Sequence, residues 1–216
     1  MPSTLLPLLL SVVIALTVNT KVFAQNDLPP VDQAASQPDF FTFRAQLIAA
    51  LARRDSPFIL AAVHPDIKNS FGGDDGIASF KKAWDIGKQD SRFWETLAYI
   101  LALGGSFDPS GAFTAPYVYS QWPETLDAFQ HIAVIGSGVR LRAAANTSSA
   151  TVATLNFALV ELATTATPTS PWTAVKTLDG KTGFIDKQYL RSPIDYRATF
   201  QKQNGRWQLV SLVAGD

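Results

Sequence analysis

The chain has 216 residues, 47% of them apolar and 17% charged, which is enough apolar material for a packed core and excludes an intrinsically disordered protein. Lys plus Arg equals Asp plus Glu at 18 each, so charge gives no reason to expect nucleic acid or an anionic membrane surface as a partner. Cysteine is absent, which excludes disulfides, thiol catalysis, thiolate metal sites and a lipidated-cysteine anchor.

The apolar runs Leu5–Leu10 and Val12–Leu16 are short for a membrane span and lead to Val22-Phe23-Ala24, with small or moderately small residues before the position of a cut. Residues 1–24 are read as a cleaved secretory signal. The expected product is periplasmic or secreted, with no membrane span once the signal is removed. Residues 25–38 are polar and carry Pro29, Pro30 and Pro38, as a linker or loose terminus does.

Apolar residues then recur at helical spacing. Phe40, Phe43, Leu47, Ala50 and Leu51 predict a first helix that ends in Arg53-Arg54. Ser56 as cap and Pro57 at the first helical position predict a second, short one that runs out near His64-Pro65. Asp66 to Phe71 reads as a strand, Gly72 to Gly76 as a turn, and Ile77, Phe80, Lys81 and Trp84 as a third helix. A longer helix follows from Ser91 and stops at Gly104-Gly105. Phe107 to Pro123, rich in aromatics and prolines, is expected to be a loop packed on the core, and His131 to Ile135 a strand.

From Gly138 the pattern changes to short alternating runs separated by Gly, Asn, Asp or Pro, which argues for a small all-β unit. Its pieces are Gly138-Val139-Arg140-Leu141-Arg142, the apolar run Leu155–Leu162, Trp172-Thr173-Ala174-Val175, Gly180-Lys181-Thr182-Gly183-Phe184-Ile185 and Tyr189-Leu190. In this order they resemble the bacterial SH3-like (SH3b) domain family over about residues 132–191. The resemblance implies a small β-barrel over 131–192 and a habit of binding cell-wall peptides or extended segments of envelope proteins. One departure is the run Ala143-Ala144-Ala145-Asn146, where family members often carry a Gly-Pro turn.

Asp195–Gln201 and Trp207–Val213 flank Asn204-Gly205, a strong hairpin signal. Tyr196, Ala198 and Phe200 are expected to share one face, and Trp207, Leu209 and Ser211 one face of the partner strand. A hairpin alone is barely stable, so it is expected to return to the helical part, residues 39–130, and complete it with residues 193–216. Helices followed by such a hairpin resemble the nuclear-transport-factor-2-like (cystatin-type) fold. The expected class is α+β: a helical N-terminal part with a C-terminal hairpin, plus the SH3-like barrel.

Motifs that would carry catalysis are weak. The two histidines, His64 and His131, lie far apart in sequence, and Asp74-Asp75 sit in a glycine turn. Gly72-Gly73 lacks the Gly-Lys-Ser/Thr of a phosphate loop, and Gly136-Ser137-Gly138 joins two strands. No catalytic residue, metal site or cofactor is expected. By the resemblance, a ligand groove would involve Arg140, Arg142, Trp172, Phe184 and Tyr189, with the three aromatics equally readable as barrel core. The two arginines are open to a ligand carboxylate or to a surface ion pair with Asp186 or Glu161. The alternative is a small-molecule pocket in the N-terminal part, lined by Phe71, Trp84, Trp94 and Tyr117, with the SH3-like unit as scaffold.

Overall fold

A computed structural model describes residues 27–163 and 170–215, and the expected signal sequence, residues 1–24, lies outside them. Helix α1 (Pro38–Arg53) opens with a proline in its first turn, where the missing N–H has no intrahelical partner to lose. It buries Phe40, Leu47, Ala50 and Leu51 and ends at Arg54, whose φ of 54° is left-handed. The cap of α2 (Ser56–Ala62) is Asp55, not Ser56: the Asp55 carboxylate accepts from the Phe58 amide at 3.1 Å, while Ser56 Oγ donates to the Ile86 carbonyl at 2.6 Å.

The strand expected over Asp66–Phe71 forms earlier, as β1 (Val63–Lys68). Helices α3 (Ile77–Trp84) and α4 (Arg92–Ala102) occupy the expected stretches, with Ser91 capping α4 by accepting from the Phe93 amide at 3.1 Å. The stretch read as a packed loop contributes regular structure instead: β2 (Ser106–Phe107), β3 (Phe113–Ala115) and the single turn α5 (Tyr117–Ser120). There follow β4 (His131–Val134), β5 (Val139–Arg142), β6 (Thr151–Leu155), β7 (Leu159–Leu162), β8 (Trp172–Thr177), β9 (Thr182–Asp186) and β10 (Leu190–Arg191). The hairpin β11 (Arg197–Gln203) and β12 (Arg206–Val213) closes the chain.

The architecture is α+β, with five α-helices and two sheets among the described residues. The first sheet has the order β1-β12-β11-β3-β2; β1 runs parallel to β12 and the other pairs are antiparallel. The C-terminal hairpin therefore lies at the centre of the sheet on which the N-terminal helices pack. Phe40 of α1 fixes that contact. It is fully buried against Phe107, Phe113, Phe200 and Trp207, with ring centroids between 4.4 and 5.8 Å away.

A bulge alters the expected faces of β12. Thr199 pairs with Ser211 but Phe200 with Leu209, so Val210 has no partner opposite it. The extra residue shifts the alternation: Trp207 and Leu209 point into the core, Leu212 joins them, and Ser211 turns outward beside Thr199.

The second sheet is antiparallel throughout, in the order β10-β4-β7-β8-β9-β5-β6, around Val134, Val139, Leu141, Val160, Val175, Ile185 and Leu190. β4, inside the bounds expected for this unit, pairs with β7 and β10 in it. The run Leu155–Leu162 is split into two strands by a turn at Phe157, whose φ is 51°. Among the described residues β6 and β10 do not pair with each other, so the strand ladder stays open rather than closing into a barrel.

The segment read as a loose linker, residues 25–38, is tied down from residue 27 onward. Leu28 is buried and its amide donates to the Phe157 carbonyl at 2.7 Å, while Asp32 bridges to Gly105 and holds the buried Arg44 through two 2.7 Å bonds. Gly104 is what lets this strap lie so close: a side chain there would meet the Val31 carbonyl at 2.5 Å. Composition could not show this, because the strap's polar residues are satisfied by distant partners. A small cluster of Leu28, Tyr117, Val118, Ala133 and Leu159 then joins the two sheets.

Candidate functional site

The turn motif of the second sheet explains the placement of its aromatics. Thr177 and Lys181 close a tight turn around Asp179-Gly180, bonded from the Thr177 amide to the Lys181 carbonyl at 2.8 Å. This fixes the β8–β9 register, with Trp172 opposite Asp186 and Ala174 opposite Phe184. Gly183 then faces β5 at a distance that admits no side chain: a Cβ would lie 2.6 Å from the Arg142 carbonyl and 2.8 Å from Leu141 Cγ. The glycine lets β9 seat on β5, where Phe184 pairs with Arg142.

Alternation along the strands sorts the side chains. Val139, Leu141, Val175 and Ile185 point into the core of the sheet. Arg140, Arg142, Trp172, Phe184 and Asp186 therefore share the opposite face. On that side the strands and the turn around Gln188 enclose a groove of about 320 Å³ whose lining includes Arg140, Arg142, Trp172, Asp186 and Tyr189. Four of the five residues expected at a groove thus meet in one place. Phe184 is half-buried beside it without lining it.

The charges in the groove are not paired with one another. Arg142 donates to the Ser149 carbonyl at 2.8 Å and so braces the loop after β5. That loop, with Ala143–Asn146 in place of a Gly-Pro turn, folds on itself through the Ala143 amide to the Ala150 carbonyl at 2.9 Å and brings Thr147 to the rim. Asp186 accepts from the Gln188 amide at 3.1 Å, and Glu161 is paired with Lys176 at 3.0 Å. Among the described residues Arg140 has no ion-pair or hydrogen-bond partner, and it is exposed. The groove thus offers one uncommitted guanidinium, an amphipathic indole and a phenol that is 43% exposed. Asp186, Gln188 and Thr147 also line it, with Ser137, Gly138 and Val139 at the start of β5. Gln188 and Thr147 had no signal in the sequence beyond their positions next to Tyr189 and in the unusual loop, whereas Asp186 was expected only as an ion-pair partner of the arginines.

The other expected pocket does not assemble. Trp84 and Trp94 are buried in the core of the first sheet, Tyr117 is buried in the cluster between the sheets, and Phe71 is 49% exposed on a loop. Helical spacing had placed the two tryptophans on inward faces. Packing then uses them as core, with Trp84 and Trp94 each within 5.7 Å of the Phe93 ring. The histidines are tied locally. His64 Nδ1 accepts from the Asp66 amide at 3.1 Å, and His131 Nδ1 lies 3.0 Å from the Asp127 carbonyl. Among the described residues no three His, Asp or Glu side chains gather into a metal-binding group, and no helix is long and apolar enough to cross a membrane.

No protein-family profile matches the chain, and no curated protein does. Among solved structures it is similar to an NTF2-like protein of unknown function from Pseudomonas putida KT2440. The identity is 12%, the match covers 83% of this chain and 84% of that one, and the TM-score is 0.26.

Proposed function

We propose that this protein is an exported, non-enzymatic protein of the cell envelope whose second sheet is an SH3-like module that binds a cell-wall peptide or an extended segment of an envelope protein. The observation that carries this reading is the convergence of Arg140, Arg142, Trp172 and Tyr189 on one groove, with Arg140 left without a partner among the described residues. An extended peptide needs aromatic faces for contact area and a few fixed polar groups for orientation. Trp172 and Tyr189 supply the first, and Arg140 presents a planar fork suited to a carboxylate. Arg142 holds the rim through Ser149.

The test is co-sedimentation with purified peptidoglycan sacculi. Because Arg140 braces nothing, Arg140→Ala leaves the fold intact, and paired with Trp172→Ala it is expected to abolish sedimentation while circular dichroism stays unchanged. Retention of that folded double variant on sacculi would move binding away from the groove. Failure of the unaltered protein to sediment would exclude the wall and leave a protein segment as the ligand.

A further inference from the structure

On the face of the first sheet opposite α1–α4, beside the single turn α5, hydroxyls line up across four strands. Ser106 of β2 pairs with Thr114 of β3, Thr114 with Thr199 of β11, and Thr199 with Ser211 of β12. The last of these faces outward only because of the bulge at Val210. Ser106, Thr114 and Thr199 form the floor of a pocket of about 640 Å³, walled by Phe107, Tyr119 and Gln121. That volume is in the range of sites that enclose a small organic ligand.

The groups in this pocket select a chemistry. Gln121 Nε2 donates to Ser106 Oγ at 2.8 Å and to the Ser120 carbonyl at 3.0 Å, which leaves its Oε1 free to accept. Thr114 and Thr199 share one hydrogen bond at 3.2 Å, so a hydroxyl proton remains to be donated. Ser120 Oγ, also at this pocket, is buried without a partner among the described residues. Asp108, the one charged side chain in the lining, is held by its own turn: its Oδ1 accepts from Ser110 Oγ at 2.6 Å and from the Ser110 and Ala112 amides, which leaves Oδ2 as a further acceptor for a hydroxyl. No lining group carries a positive charge.

One wall is aromatic and held in place. The Tyr119 ring lies over the Arg197 guanidinium at 4.4 Å, Arg197 is in turn 5.4 Å from the Phe71 ring, and Phe71 carries Lys68 at 4.4 Å. Arg197 is buried and anchored by a 2.8 Å bond to the Gly215 carbonyl. Tyr119, 41% exposed, is therefore a braced platform rather than a loose side chain.

We propose that this pocket is a binding site for a neutral saccharide. Sugars present hydroxyls that both donate and accept, and apolar C–H faces that lie against an aromatic ring. Neutral hydroxyls and a carboxamide beside a fixed phenol match both features, whereas a phosphate or carboxylate ligand would find no free cation. The site is on a different sheet from the peptide groove and stands independently of it.

The test is a nuclear magnetic resonance titration of the isotope-labelled protein with chitotriose, cellotriose and maltotriose, and with trigalacturonate as the anionic comparison. At least one neutral trisaccharide is expected to shift the amides of Thr114, Gln121 and Thr199 with a dissociation constant at or below about 10 mM. Tyr119→Ala is expected to weaken binding at least about ten-fold, Thr199→Val several-fold, and Tyr119→Phe, which keeps the stack on Arg197, little. Arg140→Ala is expected to leave the titration unchanged. No shift with any neutral trisaccharide, shifts confined to the Arg140–Trp172 groove, or tighter binding of trigalacturonate would each overturn the proposal.

Discussion

Gly183 is where the sequence motif, the fold and the groove depend on one hydrogen atom. In Gly183→Ala the new methyl meets the Arg142 carbonyl at 2.6 Å and the Leu141 side chain at 2.8 Å, and neither can swing aside: one is backbone and the other is fully buried. Overpacking of a sheet interior costs typically about 1–3 kcal/mol, and a backbone obstacle places this variant near the top, about 3 kcal/mol. The comparison is Gly180→Ala in the adjacent turn. There φ is 92° with open space around the Cβ, so the cost is backbone strain alone, about 1–2 kcal/mol. Urea unfolding of the two variants gives the stabilities, and sacculus binding reports the groove. Gly183→Ala should be the less stable and should lose binding, because β9 must move off β5 where Phe184 faces Arg142. Gly180→Ala should bind normally. Equal stability, or a Gly183→Ala protein that binds as well as the original, would refute this account of how the groove is held.

Asp39 accepts from Lys202 Nζ at 2.6 Å and Trp207 Nε1 at 3.0 Å, and these bonds, the Lys202 one foremost, hold its pKa below the ordinary 3.8. Its contribution is therefore complete above the unfolded value and lost as the pH falls through the folded one. Asp39→Asn should flatten the fall in stability below about pH 4, and an unchanged acid limb would contradict the assignment. Burial, helped by the nearby Tyr99, raises the Tyr117 phenol from 10.0 to about 12, and its hydroxyl has no partner among the described residues. Stability from the neutral phenol is lost as pH rises above the unfolded value, so Tyr117→Phe should stabilise by roughly 1 kcal/mol at neutral pH and more in alkali, and a loss in urea unfolding would show a hidden partner for the hydroxyl.

The local elements were legible because their signals are local. Helical spacing of Phe40, Leu47 and Leu51 marks α1, Ser91 and Gly104 bracket α4, and Asn204-Gly205 marks the hairpin. The same locality explains the misplaced cap of α2. Asp55 and Ser56 are both good caps, and Ser56 is drawn away by the Ile86 carbonyl, thirty residues on.

The groove residues were legible only through the order of their motifs. Period-two alternation places Arg140 and Arg142 on one face, but it does not say that the same face of β8 carries Trp172. That follows from the β8–β9–β5 pairing, which only the close seat at Gly183 permits. The tryptophans of α3 and α4 show the reverse error, since an inward helical face reads alike whether it borders a cavity or a packed core. The sequence by itself determined the four N-terminal helices and the closing hairpin, because propensity, spacing and turn chemistry act over a few residues. Tertiary structure alone decided that residues 27–37 are a strap, that one bulge turns Ser211 outward, and that the hydroxyls of β2, β3 and β11 share one pocket. Each of these depends on which distant backbone lies within a few ångströms, and no short-range pattern carries that information.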